Sequence, residues 1–268
     1  MLFSQAGIKT AIVDTTKNKN SYYMFTNNNA RLGNIAASSL KKLAKGRVEG
    51  LELNPSLSVF TGLPGDIDEL YLDVDAIVNT LSMNFDVVLL DCDFSTDDKY
   101  FAKAKEFYLV QTMDAFTIQP LTRFLSELKL KGLLDENKLR IVINKYIKMK
   151  KLSYKMIIGG LSKYNEPAMT LQRDSFNPNN VPYILIPFDD ETYEAYLQEV
   201  AMCDFKLNNY SDNFLNALET LKNMIFNGEG SQDKGKKSLF NKKIKNDNKT
   251  NYDKEILQGP KKGSTTKN

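Results

Sequence analysis

Phe85-Asp86-Val87-Val88-Leu89-Leu90-Asp91-Cys92-Asp93 is the stretch that decides the fold class. Its four apolar residues follow one another without a polar interruption and stop at a carboxylate. A strand with one wet face alternates apolar with polar residues, so an unbroken run reads as a strand covered on both faces. That is the usual condition of parallel sheets under crossover helices. Comparable runs lie on both sides of it, at residues 11–13, 57–60, 107–110, 141–143 and 183–186. The stretches 66–84 and 114–134 each exceed the dozen or so residues that a parallel crossover needs. In the second of these, Ile118, Leu121, Leu125 and Leu128 fall at helical spacing, with Arg123, Glu127 and Lys131 on the opposite side. Further helices are expected at about 191–200 and 212–226, the last with a stripe of Phe214, Leu218, Leu221 and Ile225 before Gly228 ends the folded body. The expectation is an α/β fold, a mostly parallel sheet covered by helices on both faces.

Composition narrows the chemistry. The chain has 268 residues and no histidine, which removes Ser-His-Asp and Cys-His mechanisms together with Cys/His zinc sites. Two cysteines, Cys92 and Cys203, are too few for a disulfide framework. Any metal is therefore expected to be oxygen-ligated, such as Mg²⁺. Cys92, set between two acids, is expected to keep its proton. No run approaches the roughly 18 apolar residues of a membrane span, and residues 1–6 carry no secretory pattern, so cytoplasm is the expected compartment. The net charge of +3 is concentrated in residues 229–268, which hold eleven lysines against five acids and leave the body slightly acidic. The polar, Lys-rich composition of that tail cannot bury enough surface to offset chain entropy, so it is expected to be disordered.

In open parallel sheets ligands bind beyond the carboxyl ends of the strands, so the strand exits are the residues to inspect. Four exits stand out: Asp14 followed by Thr15-Thr16-Lys17-Asn18, Asp91-Cys92-Asp93, Asn144-Lys145, and Pro187-Phe188-Asp189-Asp190. A carboxylate at a strand tip is how nucleotide-hydrolysing folds place an acid next to Mg²⁺. It is equally how a chain returns to water. Other features read as structural: Lys145, Lys148, Lys150 and Lys151 as a solvated face, Tyr22 to Phe25 as packing under the first exit, and Gly159-Gly160 as a turn.

Taken together, the exits resemble those of the MinD/ParA group of P-loop ATPases, over roughly residues 6–227. The segment from Ala6 to Asp14 resembles that family's second strand, and Phe85 to Asp91 its Walker B strand. Ile141 to Lys145 is similar to the strand whose Asn contacts adenine, and Ile186-Pro187-Phe188-Asp189 to the adenine-side turn. The resemblance implies Asp14 and Asp91 as catalytic and Mg²⁺-binding groups, Asn144, Pro187 and Asp189 around the base, and ATP or ADP with Mg²⁺ as cofactors. It implies an ATP-binding switch for partitioning or positioning DNA or a protein machine, working as a homodimer with a protein cargo or non-specific DNA. The alternative is a non-catalytic CpaE/TadZ-like localisation hub for pilus or secretion assembly. Leu239, Phe240 and Ile244 among the tail lysines resemble the short membrane-binding segment of MinD proteins, so a membrane surface is a further implied partner.

Three departures qualify the resemblance. The family's first strand and its Gly-rich loop ending in Gly-Lys-Thr/Ser are missing from the chain. The expected domain, residues 1–228, is thus N-terminally incomplete, should contain two strands with unpaired edges, and is expected to be inactive as an ATPase as it stands. Thr16 stands where many relatives have a second acid, and Asp93 where a proline is common.

Overall fold

The computed structural model describes residues 1–163 and 174–226, and every expected apolar run becomes a strand. In chain order the first elements are α1 (Leu2–Gln5), β1 (Thr10–Asp14), α2 (Asn20–Thr26), α3 (Ala30–Leu43), β2 (Leu51–Asn54) and β3 (Leu57–Phe60). Next come α4 (Val74–Asn84), β4 (Val87–Asp91), α5 (Asp98–Lys103), β5 (Phe107–Gln111) and α6 (Ile118–Leu130). The last are β6 (Leu139–Tyr146), α7 (Tyr154–Ser162), β7 (Tyr183–Pro187), α8 (Asp190–Met202) and α9 (Asp212–Ile225).

Among the described residues the strands pair in parallel except in the β2–β3 hairpin, and one isolated antiparallel bridge joins Lys163 to Asp174. The strands do not form one sheet. One sheet has the order β2-β3-β1-β4 and the other β5-β6-β7, so β4 ends the first and β5 begins the second. Aromatic packing joins the two halves: Phe101 of α5 stacks on Phe107 at 6.2 Å and meets Phe124 of α6 edge-on at 5.5 Å. Elsewhere, Phe3 of α1 packs against Phe226.

Strand burial follows the number of neighbours. Ala11 and Val13 in β1 and Ile141 and Ile143 in β6 are fully buried, whereas Leu89 and Leu90 are half-buried and Val110 is 56 % exposed. Helices cover what is buried. Val74, Ile77 and Leu81 of α4 close over Val13 and Phe60. On the second sheet, α9 lays Phe214, Leu218 and Leu221 against Val142, Ile184 and Ile186.

Two readings of the sequence need correction or completion. Gly159 and Gly160 lie inside α7, not in a turn; a Cβ on Gly160 would meet Ile118 at 3.3 Å, so the glycine allows α7 to pack closely on α6. The β2–β3 hairpin and the α2–α3 pair were not anticipated. Among the described residues no helix is long and apolar enough to cross a membrane. The expected tail at 229–268, its Leu239, Phe240 and Ile244, and the stop at Gly228 lie outside the described residues.

Candidate functional site

Parallel register places the two strand-tip carboxylates side by side, with Asp14 opposite Asp91. Their surroundings differ. Asp14 is 0 % exposed, and both its oxygens are engaged. Oδ1 accepts from the Thr16 amide (3.0 Å) and hydroxyl (2.6 Å), and Oδ2 accepts from the Ser21 amide (3.0 Å). The side chain therefore ties the β1 exit into a closed turn leading into α2. Lys19, in the left-handed region at φ 49°, folds back so that Nζ donates to the Asp14 carbonyl (2.9 Å).

Lys19 also forms an ion pair with Glu69 at 3.0 Å, with both side chains about nine-tenths buried. Burial pushes the Glu69 carboxyl above its usual range, and Lys19 opposes that shift. Glu69 Oε1 has no hydrogen-bond partner among the described residues, and a Cβ on Gly62 would fall 1.3 Å from it. Only glycine leaves room there.

The β4 exit is stitched to the β1 exit. The Thr15 amide and hydroxyl both donate to the Asp91 carbonyl, at 2.9 and 2.7 Å. The Lys17 amide donates to Asp93 Oδ2 (2.8 Å), and the Ser95 amide to Asp93 Oδ1 (2.7 Å). Thr96 Oγ1 lies 3.2 Å from the Thr15 hydroxyl and accepts from the Asp93 amide at 3.0 Å. Of the three neighbouring acids, Asp91 alone has carboxylate oxygens that accept no hydrogen bond among the described residues. Asp91 is exposed, but partial desolvation at the crowded strand tips raises its carboxyl above the usual range, and the charges of Asp14 and Asp93 raise it further. Burial likewise pushes the Cys92 thiol up, so it keeps its proton as expected.

The second sheet gathers the other predicted residues. Asn144 Oδ1 accepts from the Lys145 amide (2.9 Å), and Lys145, at φ 52°, lies with Nζ 4.5 Å above the Tyr193 ring. The Phe188 amide donates to the Tyr146 carbonyl (3.0 Å), which docks the turn after Pro187 on β6. Asp189 caps α8, accepting from the Thr192 amide (2.7 Å) and from the Ser211 hydroxyl (2.7 Å). Burial would raise its carboxyl, but these hydrogen bonds outweigh it and hold the group below the usual range. Among the described residues no hydrogen bond or ion pair joins this group to the Asp14–Asp91 group.

Sequence reasoning missed Lys19 and Glu69, whose pairing spans 50 residues of chain, and Gln111. Gln111 is 2 % exposed at the tip of β5, donating to the Thr112 and Asp114 carbonyls and to Thr117, with Oε1 unpartnered among the described residues. Its signal was the polar residue that follows the 107–110 run.

The architecture has the fold of the MinD/ParA ATPases. No family model and no curated protein matches the chain. Solved structures do match. A Borrelia burgdorferi B31 protein assigned to plasmid partition, bound to AMPPNP, has a TM-score of 0.56 at 14 % identity, covering 84 % of this chain and 90 % of its own. A ParA family ATPase from Chlorobium tepidum has a TM-score of 0.53 at 15 % identity, covering 79 % and 84 %. The septum site-determining protein MinD of Pyrococcus horikoshii, complexed with Mg-ADP, has a TM-score of 0.53 at 14 % identity, covering 85 % and 89 %. At these identities the likeness is one of fold.

A Mg²⁺ ion bound with a nucleotide, as in the Pyrococcus horikoshii structure, would need a carboxylate with free oxygens to hold it. Asp91 fits that role, with uncommitted oxygens at the end of its sheet. Asp14 fits it only by releasing Thr16 or Ser21. Among the described residues no group of three or more acids or cysteines is placed to hold a metal alone, so the phosphates would supply much of the ligation.

Proposed function

We propose that the chain is the greater part of a nucleotide-dependent positioning switch of the MinD/ParA kind. Its phosphate-binding strand and loop would occupy the position between β4 and β5. The observation that carries this reading is the pair of unpaired edges beside Asp91. A strand laid parallel between them would satisfy both edges and deliver the loop at its end to the strand tips, where Asp91 is uncommitted. In the completed site Asp91 would hold Mg²⁺, and Asn144, Pro187 and Asp189 would border the base. Mg²⁺, when bound, neutralises phosphate charge. Asp14 keeps the β1 exit closed, and Thr15, bonded to the Asp91 carbonyl, keeps the two exits in register. In such a cycle the nucleotide-bound form pairs with a second copy and engages a protein cargo or DNA.

The test is to measure Mg-ATP binding calorimetrically for a chain extended by the in-frame segment encoded before codon 1. Binding that is lost in the extended Asp91→Ala variant supports the reading; no binding by the extended wild-type chain rejects it.

One observation favours a second reading, a non-catalytic localisation hub. Asp14 has both oxygens committed to its own turn, which leaves none to order an attacking water. An extended chain that binds ATP but hydrolyses it no faster than its Asp14→Asn variant would favour the hub.

A further inference from the structure

The segment joining β6 to α7 has an unusual surface. Between Asn137 and Lys163 there is no acidic residue, while Lys145, Lys148, Lys150, Lys151 and Lys155 are crowded into and beside one loop. Three aliphatic side chains stand among them in solvent: Ile147 at 49 % exposure, Met149 at 41 % and Met156 at 58 %. The loop is pinned from beneath by Tyr146, Leu152 and Tyr154, which pack against the core of the second sheet. Tyr154 and Tyr183 share a hydroxyl contact at 2.9 Å, with Tyr183 itself 42 % exposed. Ser153 caps α7 through the Met156 amide. The loop is thus presented by a fixed base. Asp190 and Glu191 open α8, and Lys145 turns toward that helix, onto Tyr193.

We propose that this loop docks the protein on an anionic phospholipid surface. Lysines alone would suit phosphate of any source. A nucleic-acid backbone, however, offers nothing to Ile147, Met149 and Met156, whereas a bilayer takes aliphatic side chains below the headgroups while neighbouring lysines extend to the phosphates. Tyrosines with one apolar and one polar end suit the same depth. The docking does not use the tail, because every residue it uses belongs to β6, the loop, α7 or β7.

The experiment is co-sedimentation of the full 268-residue chain with vesicles of phosphatidylcholine, with and without phosphatidylglycerol. Binding is expected only with phosphatidylglycerol. The triple variant K148Q/K150Q/K151Q should lower the partition coefficient by about a hundredfold, at roughly fivefold for each lysine. The double variant I147S/M149S should lower it roughly tenfold. Both variants change exposed side chains, and circular dichroism checks that they fold. Failure of the wild-type chain to bind phosphatidylglycerol vesicles overturns the proposal. So does binding that survives both variants, which would place the contact elsewhere. Retention on duplex DNA that depends on the lysines but not on Ile147 and Met149, without vesicle binding, also overturns it and assigns the loop to nucleic acid.

Discussion

β1 and β4 follow the same plan, a mostly apolar run closed by an aspartate, Thr-Ala-Ile-Val-Asp against Val-Val-Leu-Leu-Asp, and lie in register. Yet β1 is buried along most of its length with its carboxylate saturated, and β4 is half-buried with its carboxylate uncommitted. The difference is in the neighbours. β1 pairs on both sides, so its side chains pack under helices and its terminal Asp is enclosed by its own turn. β4 pairs on one side, which leaves its other edge and its terminal Asp open to solvent. The same terminal carboxylate acquires a structural role in one place and leaves a binding role available in the other. The second sheet repeats the lesson, with β6 buried between two neighbours and β5 half-exposed at an end.

The largest expected effect is on amide exchange. The amides of β4 and β5 that point away from their single neighbours should exchange on the order of a thousandfold faster than those of β1 and β6, since an unpaired amide needs no unfolding to open. Hydrogen exchange read by NMR would break the comparison if all four strands were equally protected.

Next is the pair of carboxylates. Asp14→Ala should destabilise the protein by about 3 kcal/mol, because it leaves the half-buried donors of Thr16 and the buried amide of Ser21 without an acceptor. Asp91→Ala should change stability by no more than about 0.5 kcal/mol. Urea titrations of the two variants measure this, and equal losses would contradict the division of roles.

Side-chain truncation sharpens it further. Val13→Ala, at a fully buried site, should cost about 2 kcal/mol, and Val110→Ala, at a site 56 % exposed, less than about 0.5 kcal/mol.

The smallest effect concerns acid. The Asp189 carboxyl is held below its usual range in the folded state, so its contribution is fully present above the unfolded-state value and is lost as pH falls through the lower folded-state value. Asp189→Asn should therefore be less stable than wild type at neutral pH, and the difference should shrink in acid, as thermal melts across pH would record.

Much of this was legible in the sequence because the signals are local. Unbroken apolar runs located β1, β3, β4, β5, β6 and β7, and the acid at a run's end located Asp14 and Asp91. The hairpin strand β2 escaped because Leu51-Glu52-Leu53-Asn54 is short and half polar, and it becomes a strand only by pairing with β3. Gly159 and Gly160 misled because glycine signals a turn locally, while the close approach of α7 to Ile118 is a tertiary requirement. The Lys19–Glu69 pair escaped because nothing within either segment announces a partner 50 residues away. The two unpaired edges were expected only through the family resemblance, and the separation into two sheets was not; a run of apolar residues records that a strand forms, not how many neighbours it has. The roles of Asp14, Asp91, Asn144, Pro187 and Asp189 remain proposals: Asp14, Asp91 and Pro187 end their strands and Asp189 caps α8, whereas Asn144 lies two residues inside β6, which runs on to Tyr146 instead of ending at Asn144-Lys145.

The open edges also bear on how the polypeptide behaves in a crowded solution. A free strand edge templates the first extended segment that meets it, and Val87-Val88-Leu89-Leu90 with Phe107 to Val110 are strongly strand-forming sequences held ready for pairing. Without a filler strand, concentrating the chain should drive copies together edge to edge, so shelf life and handling concentration depend on those two ribbons more than on the size of the core.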